Sequence, residues 1–480
     1  MPEAFAQTRS RDHLYSRSAL KTKQDVDIAV IGAGFAGIAT AYYLCTEHKR
    51  NSVLLIDSRQ PMSFTSAQSG DNYRNWFPHP TMVSFIDYSL DLMERIAEKF
   101  PDVMNMTRRG YALATRRTNI DDLIAELQVG YGNATPDVIR IHNRGSLVSY
   151  QPQDSPDWRT APDGVDVLSD QNLIRQTFPS FNSEIANVLH IRRAGDIDGQ
   201  GMGQYMLQHI RHCGGERLVA HVRGIDQRER FSLEVENADG VERINADVVV
   251  NAAGPFAKDI AAMIGVDLPL ENVFQQKLAF DDERGVISRT QPFSLDLDEQ
   301  VLDWTDEDRE LLAGDPELTW LVEPIPGGAH CRPDGGKNRT WVKLGWAYNR
   351  ESSDPQEDLA NETRLNPNFP ELILRATSRL TPALKSYSES LPRRRTHYGG
   401  YYPMTRENWP LIGPLGVAGA YIVGALSGYG CMAACGAGAI CANWIVGGDL
   451  PDYAGQLSLA RNDHKELMDE ILNSPSKGIL

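Results

Sequence analysis

A single lysine stands in a run of aromatic and apolar residues that has the composition of a β-strand. The run RTWVKLGWAYN covers residues 339–349, and its lysine is Lys343. A strand with one face in water accommodates lysine easily, so this side chain can simply be solvated. Alternatively, the ammonium group faces a ligand or a reacting group whose negative charge it stabilises. The strand pattern alone leaves both interpretations open.

A glycine-rich run near the N-terminus has the spacing of a phosphate-binding turn. The apolar segment DVDIAVI is followed by Gly32-Ala33-Gly34-Phe35-Ala36-Gly37, by a helical pattern, and by a second apolar segment that ends at Asp57. In such a βαβ unit Gly32 permits a tight turn and Gly34 lets the backbone approach a diphosphate. Gly37 allows helix and strand to pack closely, and Asp57 would accept hydrogen bonds from a ribose. The run predicts a dinucleotide site, with a glycine turn that binds no ligand as the alternative.

Composition narrows the possible partners and the compartment. The chain has 480 residues and a formal net charge of −16, so it lacks the basic surface that would neutralise nucleic-acid phosphates. Its six cysteines are scattered, which predicts free thiols in a reducing compartment and a cytoplasmic protein. Residues 1–24 are polar and indicate a flexible leader that is not a secretory signal.

One long segment, residues 411–450, contains a single charged residue, Asp449. Its hydropathy alone would allow a membrane span. Its glycines divide it into a short strand, a turn and a helix of small residues, which favours burial in a protein core. We therefore expect no membrane association.

The remaining patterns predict two interleaved domains. ADVVVNAAGPFA (246–257) continues the βαβ pattern, whereas ENVFQQKLAF, LTWLVEPI and RTWVKLGWAY look like antiparallel strands. We predict an α/β chain, α+β overall, with a Rossmann-like domain and an antiparallel-sheet substrate domain. The predicted bounds are 25–115, 165–260 and 400–461 for the first domain, 116–164 and 261–399 for the second, and 462–480 for a C-terminal tail.

Four motifs in this order resemble the FAD-dependent D-amino-acid oxidase superfamily. They are VIGAGFAG (30–37), SGDNYRNWFP (69–78), VVVNAAGPFA (248–257) and the late run YYPMTRENWPLIGP with ALSGYGCMAACGAGAICANWI. Within this superfamily the chain is most similar to the branch of monomeric sarcosine oxidase and glycine oxidase. The resemblance covers Asp25 to about Arg461 and implies an FAD that lies between the two domains.

The resemblance also assigns the FAD contacts. The segment 66–74 would pass over the isoalloxazine and the diphosphate, and a helix that begins near Gly430 would aim its positive end at the flavin pyrimidine edge. Cys431 and Cys435 lie four residues apart, but no histidine or acid joins them, so no metal is expected. The predicted contacts are Gly32, Gly34, Phe35, Ala36, Gly37, Asp57, Ser58, Ser66, Ser69, Gly70, Val222, Ala253, Gly254, Gly428, Tyr429, Gly430, Cys431 and Met432.

The same resemblance favours a catalytic role for Lys343. In the sarcosine oxidase branch a lysine-leucine-glycine-aromatic strand places its lysine over the flavin, where molecular oxygen is reduced. Lys343-Leu344-Gly345-Trp346 matches that motif. A fixed ammonium group stabilises the superoxide that the first electron transfer creates. With this motif we favour the catalytic interpretation over a solvated lysine.

Three positions depart from the pattern of the family. Gly400 stands where sarcosine oxidases carry the cysteine that is linked to FAD, so a non-covalent cofactor is expected. Tyr402 replaces an arginine, and Met432 a lysine, that grip the substrate carboxylate in related oxidases. A buried carboxylate needs a charged anchor, so either another cation, with Arg74 the nearest, supplies it or the substrate lacks a free carboxylate.

An aromatic group beside the predicted flavin turn would suit a cage around an amine. It comprises His397, Tyr398, Tyr401 and Tyr402, and ordinary strand packing is the alternative for each member. Arg74 likewise has a structural alternative, a contact with loop backbone or with FAD. The predicted catalytic residues are Lys343, Arg74, Tyr402 and His397.

Together these residues predict a flavin-dependent oxidase that removes hydride from the carbon beside an amine nitrogen. An amine or amino-acid-like substrate would become an imine, and oxygen would reoxidise the flavin to give hydrogen peroxide. One alternative is a dehydrogenase of the same fold that passes electrons to a quinone or a protein carrier. Another is a flavin-containing scaffold protein without catalysis. The sequence leaves the identity of the amine and the oligomeric state open.

Overall fold

The computed structural model of the chain describes residues 25–132, 135–145, 149–152, 157–335, 339–357, 359, 364–388 and 390–474. The predicted leader and residues 475–480 of the predicted tail lie outside the described residues. Within them, the strands and helices form two large sheets with helices packed against them.

The strands, in chain order, are β1 (Asp25–Ile31), β2 (Val53–Asp57), β3 (Asn72–Arg74), β4 (Tyr111–Thr115), β5 (Ile139–His142), β6 (Val165–Leu168), β7 (Asn187–Ile191), β8 (Ala194–Asp196), β9 (Glu216–Val219), β10 (His221–Gln227), β11 (Phe231–Asn237), β12 (Gly240–Asn251), β13 (Glu271–Asp281), β14 (Phe293–Asp296), β15 (Ala329–Pro333), β16 (Trp341–Gly345), β17 (Arg395–Met404), β18 (Leu411–Pro414) and β19 (Ala420–Gly424). The helices are α1 (Phe35–Thr46), α2 (Pro80–Lys99), α3 (Pro101–Met104), α4 (Asp121–Tyr131), α5 (Thr135–Val138), α6 (Gln171–Thr177), α7 (Gly199–His212), α8 (Ala257–Ala262), α9 (Asp306–Gly314), α10 (Phe369–Leu380), α11 (Lys385–Ser388), α12 (Gly430–Val446) and α13 (Lys465–Asn473).

The first sheet contains the predicted βαβ unit. β1 pairs in parallel with β2 on one side and with β12 on the other, so that Ile28 lies opposite Val53 and Val248. β9 and β19 extend this parallel region, and β10 and β11 add antiparallel strands. β1 and β2 are apolar and largely buried, as strands covered by helices on both faces must be. The prediction of a Rossmann-like fold is confirmed.

The second sheet is mostly antiparallel, in the order β17-β13-β16-β15-β14-β4-β7-β6-β5. It confirms the predicted antiparallel sheet, with β13 between β16 and β17. β4, β6 and β7 also pair in this sheet, although the predicted bounds assign them to the first domain. Short buried strands carry no sequence signal that indicates which sheet they join. The predicted bounds of the two domains stay a prediction.

One predicted strand, LTWLVEPI, is wrong. Its residues Thr319–Leu321 form a 3-10 helix instead. The Thr319 hydroxyl donates a hydrogen bond to the Asp315 carbonyl at 2.9 Å, and Trp304 Nε1 donates to the Leu321 carbonyl at 2.9 Å. Local and tertiary hydrogen bonds thus take backbone groups that a strand ladder would need. The antiparallel neighbour of β16 in this region is β15.

The uncharged segment forms a strand, a turn and a buried helix, as predicted. α12 begins at Gly430 and packs on α1 and α2. A Cβ atom on Gly438 would lie 2.6 Å from the backbone carbonyl carbon of Ala39, and one on Gly436 would lie 2.9 Å from Cβ of Ser89. Glycine therefore sets the close approach of α12 to both neighbours. Across the described residues, no helix combines the length and the apolarity needed to cross a membrane.

Candidate functional site

A cavity of about 750 Å³ opens where the C-terminal ends of β1 and β19 meet the N-terminal ends of α1 and α12. We call it the first cavity. Ligands of open α/β sheets bind beyond the carboxyl ends of the strands, so its position is that of a cofactor site. It brings together the predicted residues Gly34, Phe35, Ala36, Ser66, Ser69, Gly70, Gly254, Tyr402, Gly428, Gly430 and Cys431.

Of the three glycines in the glycine-rich turn, only Gly34 has room for a side chain, and that room faces the first cavity. Gly32 has a φ of +109°, and a Cβ atom there would lie 2.2 Å from the Ala252 carbonyl oxygen. A Cβ atom on Gly37 would lie 1.9 Å from the Gly32 carbonyl oxygen. Both positions therefore require glycine. A Cβ atom on Gly34 would meet only Ser66 Oγ, at 3.0 Å, in the wall of the first cavity.

The first turn of α1 can hold an anion. Gly34 precedes the helix and provides no side-chain cap, and the Phe35 N–H donates to Ser66 Oγ at 3.1 Å. Free N–H groups and the helix dipole favour negative charge at this end, such as a diphosphate. Thr65 Oγ1 is buried in the same wall without a hydrogen-bond partner among the described residues. Such an atom is suited to a bound group that supplies the missing partner.

A second cavity, of about 960 Å³, lies on the other side of the glycine-rich turn. It brings together the predicted residues Gly32, Asp57, Ser58, Val222 and Ala253. Asp57 Oδ2 accepts a hydrogen bond from the Ala33 N–H at 2.7 Å, and Oδ1 accepts one from the Arg59 N–H at 2.8 Å. Asp57 therefore also holds the turn, while each carboxylate oxygen retains capacity for a further donor such as a ribose hydroxyl.

The start of α12 forms another part of the first cavity. Tyr429 precedes the helix without capping it through its side chain, so the N–H groups of the first turn are free of a side-chain acceptor there. Tyr429 is fixed because its hydroxyl donates to the Asn408 carbonyl at 2.9 Å and its ring packs edge-on against Phe77. The positive end of α12 is thereby held at the cavity wall, where Gly430 and Cys431 lie.

These features fit FAD. The second cavity can take adenosine, the α1 N-terminus can hold the diphosphate, and the α12 N-terminus offers positive potential to a flavin pyrimidine edge. The space over Gly34 and the unpartnered Thr65 hydroxyl are consistent with a bound group along this path. The other predicted glycines line the first or second cavity, whereas Gly37 lines neither and allows close packing against Gly32.

A third cavity, of about 590 Å³, adjoins the first. The two share Ser69, Gly70, Lys277, Tyr402, Ser427, Gly428 and Cys431. Its wall is completed by Asp71, Asn72, Arg74, Tyr111, Phe293, His330, Tyr429 and Met432. The rings of Tyr111 and Phe293 are stacked with centroids 4.1 Å apart. An aromatic wall with a few polar groups is typical of a site for a small molecule.

Arg74, which we predict to contact the substrate, lies in the wall of the third cavity. Its Nε donates to the Trp76 carbonyl at 3.2 Å, and its guanidinium lies 4.7 Å over the Phe77 ring. Burial lowers the pKa of Arg74. These contacts show that Arg74 also holds the wall in place, so both interpretations of this residue agree with its position.

Lys343 lies next to the third cavity, where its ammonium group is close to an acidic residue of the wall, Asp71. Its Nζ lies 3.3 Å from Asp334 and 3.9 Å from Asp71, and Asp71 is part of the cavity wall. Burial raises the pKa of Asp71, while the charges of Lys343 and Arg332 act in the opposite direction. The Lys343 side chain is only 20% exposed, so a simple solvated lysine is not what the structure shows. Its catalytic role stays a prediction.

His330 supplies a neutral hydrogen-bonding group to the third cavity. Its Nδ1 lies 2.8 Å from the Gly328 carbonyl oxygen, and its ring stacks on Phe293. Because a carbonyl only accepts, Nδ1 carries the proton and Nε2 keeps its lone pair. Burial lowers the pKa of His330 to about 4, so the ring is uncharged near neutral pH. It can accept a hydrogen bond from the N–H of a ligand.

His397 does not reach any of these cavities. Side chains of a strand alternate between its faces, and His397 is an odd number of positions from Tyr402, which lines the first and third cavities. On the opposite face the His397 ring stacks on Phe369, and Nε2 lies 3.0 Å from Gln276 Oε1. The structure therefore does not bring His397 together with the other predicted catalytic residues, and its role stays a prediction.

Lys277 and His330 are among the residues of the third cavity that sequence reasoning missed. Lys277 stands among apolar residues in ENVFQQKLAF, which is the same signal that marks Lys343, and strand pairing sets it opposite Gly345. The sequence therefore marks Lys277 by the same local signal. His330 lies in a short run, AHCRP, without any spacing that indicates chemistry.

Comparisons with known proteins agree with this geometry. The model of the family described as DAO, FAD dependent oxidoreductase, matches residues 27–444. Mitochondrial dimethylglycine dehydrogenase of Homo sapiens is 22% identical over 441 residues, which cover 89% of this chain and 43% of that protein. The chain thus spans less than half the length of this relative.

Solved structures show the same fold. L-proline dehydrogenase from P. horikoshii has a TM-score of 0.67 at 17% identity, covering 92% of this chain and 98% of that one. Glycine oxidase from Geobacillus kaustophilus has a TM-score of 0.64 at 15% identity, covering 91% of this chain and 99% of that one. Since the family model extends over both sheets and all three cavities, the chain belongs to the DAO family of FAD-dependent oxidoreductases.

Proposed function

We propose that this protein oxidises the C–N bond of a small amine or amino-acid-like molecule to an imine. The observation that carries the proposal is the wall shared by the first and third cavities, which includes Lys277, Tyr402 and Gly428. A small molecule in the third cavity would touch a cofactor in the first. The relatives named above act, by their names, on dimethylglycine, L-proline and glycine, which supports a substrate of this class.

The residues of the chain divide into those that bind the cofactor and those that face the substrate. FAD, when bound, accepts the hydride that leaves the substrate. The α1 N-terminus at Gly34 would hold its diphosphate, and the α12 N-terminus at Gly430 would lie at its flavin end. The stacked rings of Tyr111 and Phe293 would keep water from the reacting carbon.

Molecular oxygen is the proposed final electron acceptor, with hydrogen peroxide as product. Lys343 would supply the positive charge that stabilises reduced oxygen, since its ammonium group is held beside Asp71 in the wall of the third cavity. The test of this assignment is a reoxidation experiment on a Lys343 variant.

We further propose that FAD is held without a covalent bond. Gly400 lines the first cavity and has no side chain that could form a link. Cys431 lines it too, but burial raises the pKa of its thiol well above the usual value, and the thiolate is the form that attacks. Acid precipitation should therefore release all FAD into the supernatant. Yellow colour that stays with the precipitate would contradict this expectation.

The central experiment is anaerobic reduction of the purified protein with amino acids, N-methyl amines and cyclic amines. We expect at least one compound to bleach the flavin absorbance, because a small amine bound in the third cavity would lie next to the cofactor. Free FAD with the same compounds is the control. If no amine bleaches the bound flavin, the protein is not an amine oxidase and the non-catalytic scaffold becomes the better interpretation.

A dehydrogenase is the second possible function, because two of the relatives named above are called dehydrogenases. In that case the reduced protein would pass its electrons to a quinone or a protein carrier. Oxygen uptake and the reduction of an artificial dye, measured with the same substrate, separate the two functions. Rapid dye reduction with negligible oxygen uptake would replace the oxidase by the dehydrogenase.

A further inference from the structure

Lys277 is a buried lysine on the boundary between the first and third cavities. It lies in β13 and is 9% exposed, and it contributes to the walls of both cavities. Its Nζ donates a hydrogen bond to the Gln68 carbonyl at 3.0 Å and lies 5.5 Å from the centroid of the Tyr402 ring. An ammonium group has three protons to donate, so this single hydrogen bond leaves capacity for a ligand.

Lys277 has no acidic partner within 4.0 Å among the described residues, in contrast to Lys343, Arg332 and Arg109. Lys343 is paired with Asp334 at 3.3 Å, Arg332 with Asp334 at 2.9 Å, and Arg109 with Asp196 at 2.6 Å. A buried charge without a counter-ion is unfavourable, because burial removes its hydration, and the Gln68 carbonyl and the Tyr402 ring replace that hydration only in part. The site around Lys277 is therefore complete only when an anion occupies it.

The anion belongs to the third cavity and is small. The place for the cofactor diphosphate is the α1 N-terminus, where Gly34 and Ser66 line the first cavity, so the cofactor phosphates are already provided for. In the third cavity Lys277 shares a wall with the Tyr111–Phe293 aromatic pair and with His330. Burial is the main cause that lowers the pKa of His330, the hydrogen bond to the Gly328 carbonyl acts in the opposite direction, and the positive charges of Lys277 and Arg332 lower it further.

We infer that Lys277 binds the carboxylate of the substrate, so that the substrate is an amine with a free carboxylate. This inference rests on the proposed function, since it assigns a substrate class to the same site. A carboxylate at Lys277 would leave its amine facing the neutral His330, which can accept a hydrogen bond. An amino acid presents this combination of an anion and an N–H donor, and a simple amine does not.

The test measures the binding of cyclopentanecarboxylate and its neutral amide, cyclopentanecarboxamide, to the FAD-loaded protein. Neither compound has an amine to oxidise, so calorimetry reports binding without turnover. Lys277→Met should weaken the carboxylate by about thirtyfold or more, because a charge-assisted hydrogen bond is lost. The affinity for the amide should stay unchanged. Lys277→Gln repeats the test with a polar side chain, in case the methionine variant fails to fold, and Lys99→Met is the control for an exposed lysine.

Two results would overturn the inference. One is a carboxylate that binds Lys277→Met as tightly as it binds the original protein, and the other is a carboxylate and an amide that bind the original protein equally. Both can occur while a neutral amine still bleaches the flavin, in which case the proposed oxidation stands and only the substrate class fails. Conversely, selective binding of the carboxylate through Lys277 without bleaching by any amine would leave Lys277 as an anion site and remove the oxidation.

Discussion

Gly34→Glu should give a folded protein that purifies without flavin. A Cβ atom at this position meets only Ser66 Oγ, at 3.0 Å, so the backbone does not need to move to accept a side chain. The glutamate would place a negative charge at the start of α1, where the diphosphate is expected. Two like charges about 4 Å apart repel by about 4 kcal/mol in a partly solvated site, which is roughly a thousandfold in affinity. An acid at a helix N-terminus stabilises the helix itself, so folding is retained.

The measurement is the ratio of flavin to protein after purification, followed by calorimetric titration of the apoprotein with FAD. Gly314→Glu makes the same change at an exposed glycine that has no neighbouring atom within 4 Å, and it should keep full flavin content. Circular dichroism confirms that both variants are folded. A yellow Gly34→Glu protein with unaltered FAD affinity would show that the diphosphate does not lie at α1.

Lys343→Met should slow the reaction of the reduced protein with oxygen by about 10²- to 10³-fold, the usual effect of removing one charge-stabilising group. The substitution removes the positive charge that lies 3.9 Å from Asp71. Asp71, which is part of the wall of the third cavity, then has one neighbouring cation fewer. Anionic oxygen species would then meet less positive charge beside that wall. Reduction by substrate should change little, because Lys343 contacts acids and does not line the shared wall of the two cavities. The fold should persist, since Asp334 retains Arg332 at 2.9 Å.

Stopped-flow absorbance separates the two half-reactions of this variant. The protein is reduced with substrate under anaerobic conditions and then mixed with oxygenated buffer. Lys343→Arg keeps the charge and should restore most of the oxygen rate. An unchanged oxygen rate in Lys343→Met removes the role assigned to Lys343, and equal slowing of both half-reactions indicates structural damage to the site.

The parts of the fold that the sequence predicts are those with local signals. The run from Gly32 to Gly37 fixes a turn by steric need, and the late glycines mark where β19 ends and α12 begins. The membership of β4, β6 and β7 in the second sheet has no such signal, because pairing over long sequence distances decides it. The error at Thr319–Leu321 has the same origin, since a tryptophan fifteen residues upstream of Thr319 donates to the carbonyl of that short helix.

The residues of the site also divide into those that the local sequence marks and those that strand pairing over long sequence distances brings together. The residues of the glycine-rich segments that we predict to contact the cofactor line the first and second cavities, because each segment fixes its own backbone. Lys277 has the same local signal as Lys343, a lysine among apolar residues, but its place beside two cavities follows only from the pairing of β13 with β16 and β17. His397 lies at an odd spacing from Tyr402, which places the two side chains on opposite faces of one strand, and the sequence alone contains that information.

The contact between Gly438 and the Ala39 backbone has a consequence for how this cofactor environment can vary. Gly438 touches no predicted ligand, yet any side chain there would wedge α12 away from α1. Both helices begin at the first cavity, so such a wedge would shift two sources of positive potential relative to each other. A residue two helical turns inside the core, which does not lie in the immediate surroundings of the ligand, can therefore change the reduction potential of a bound flavin.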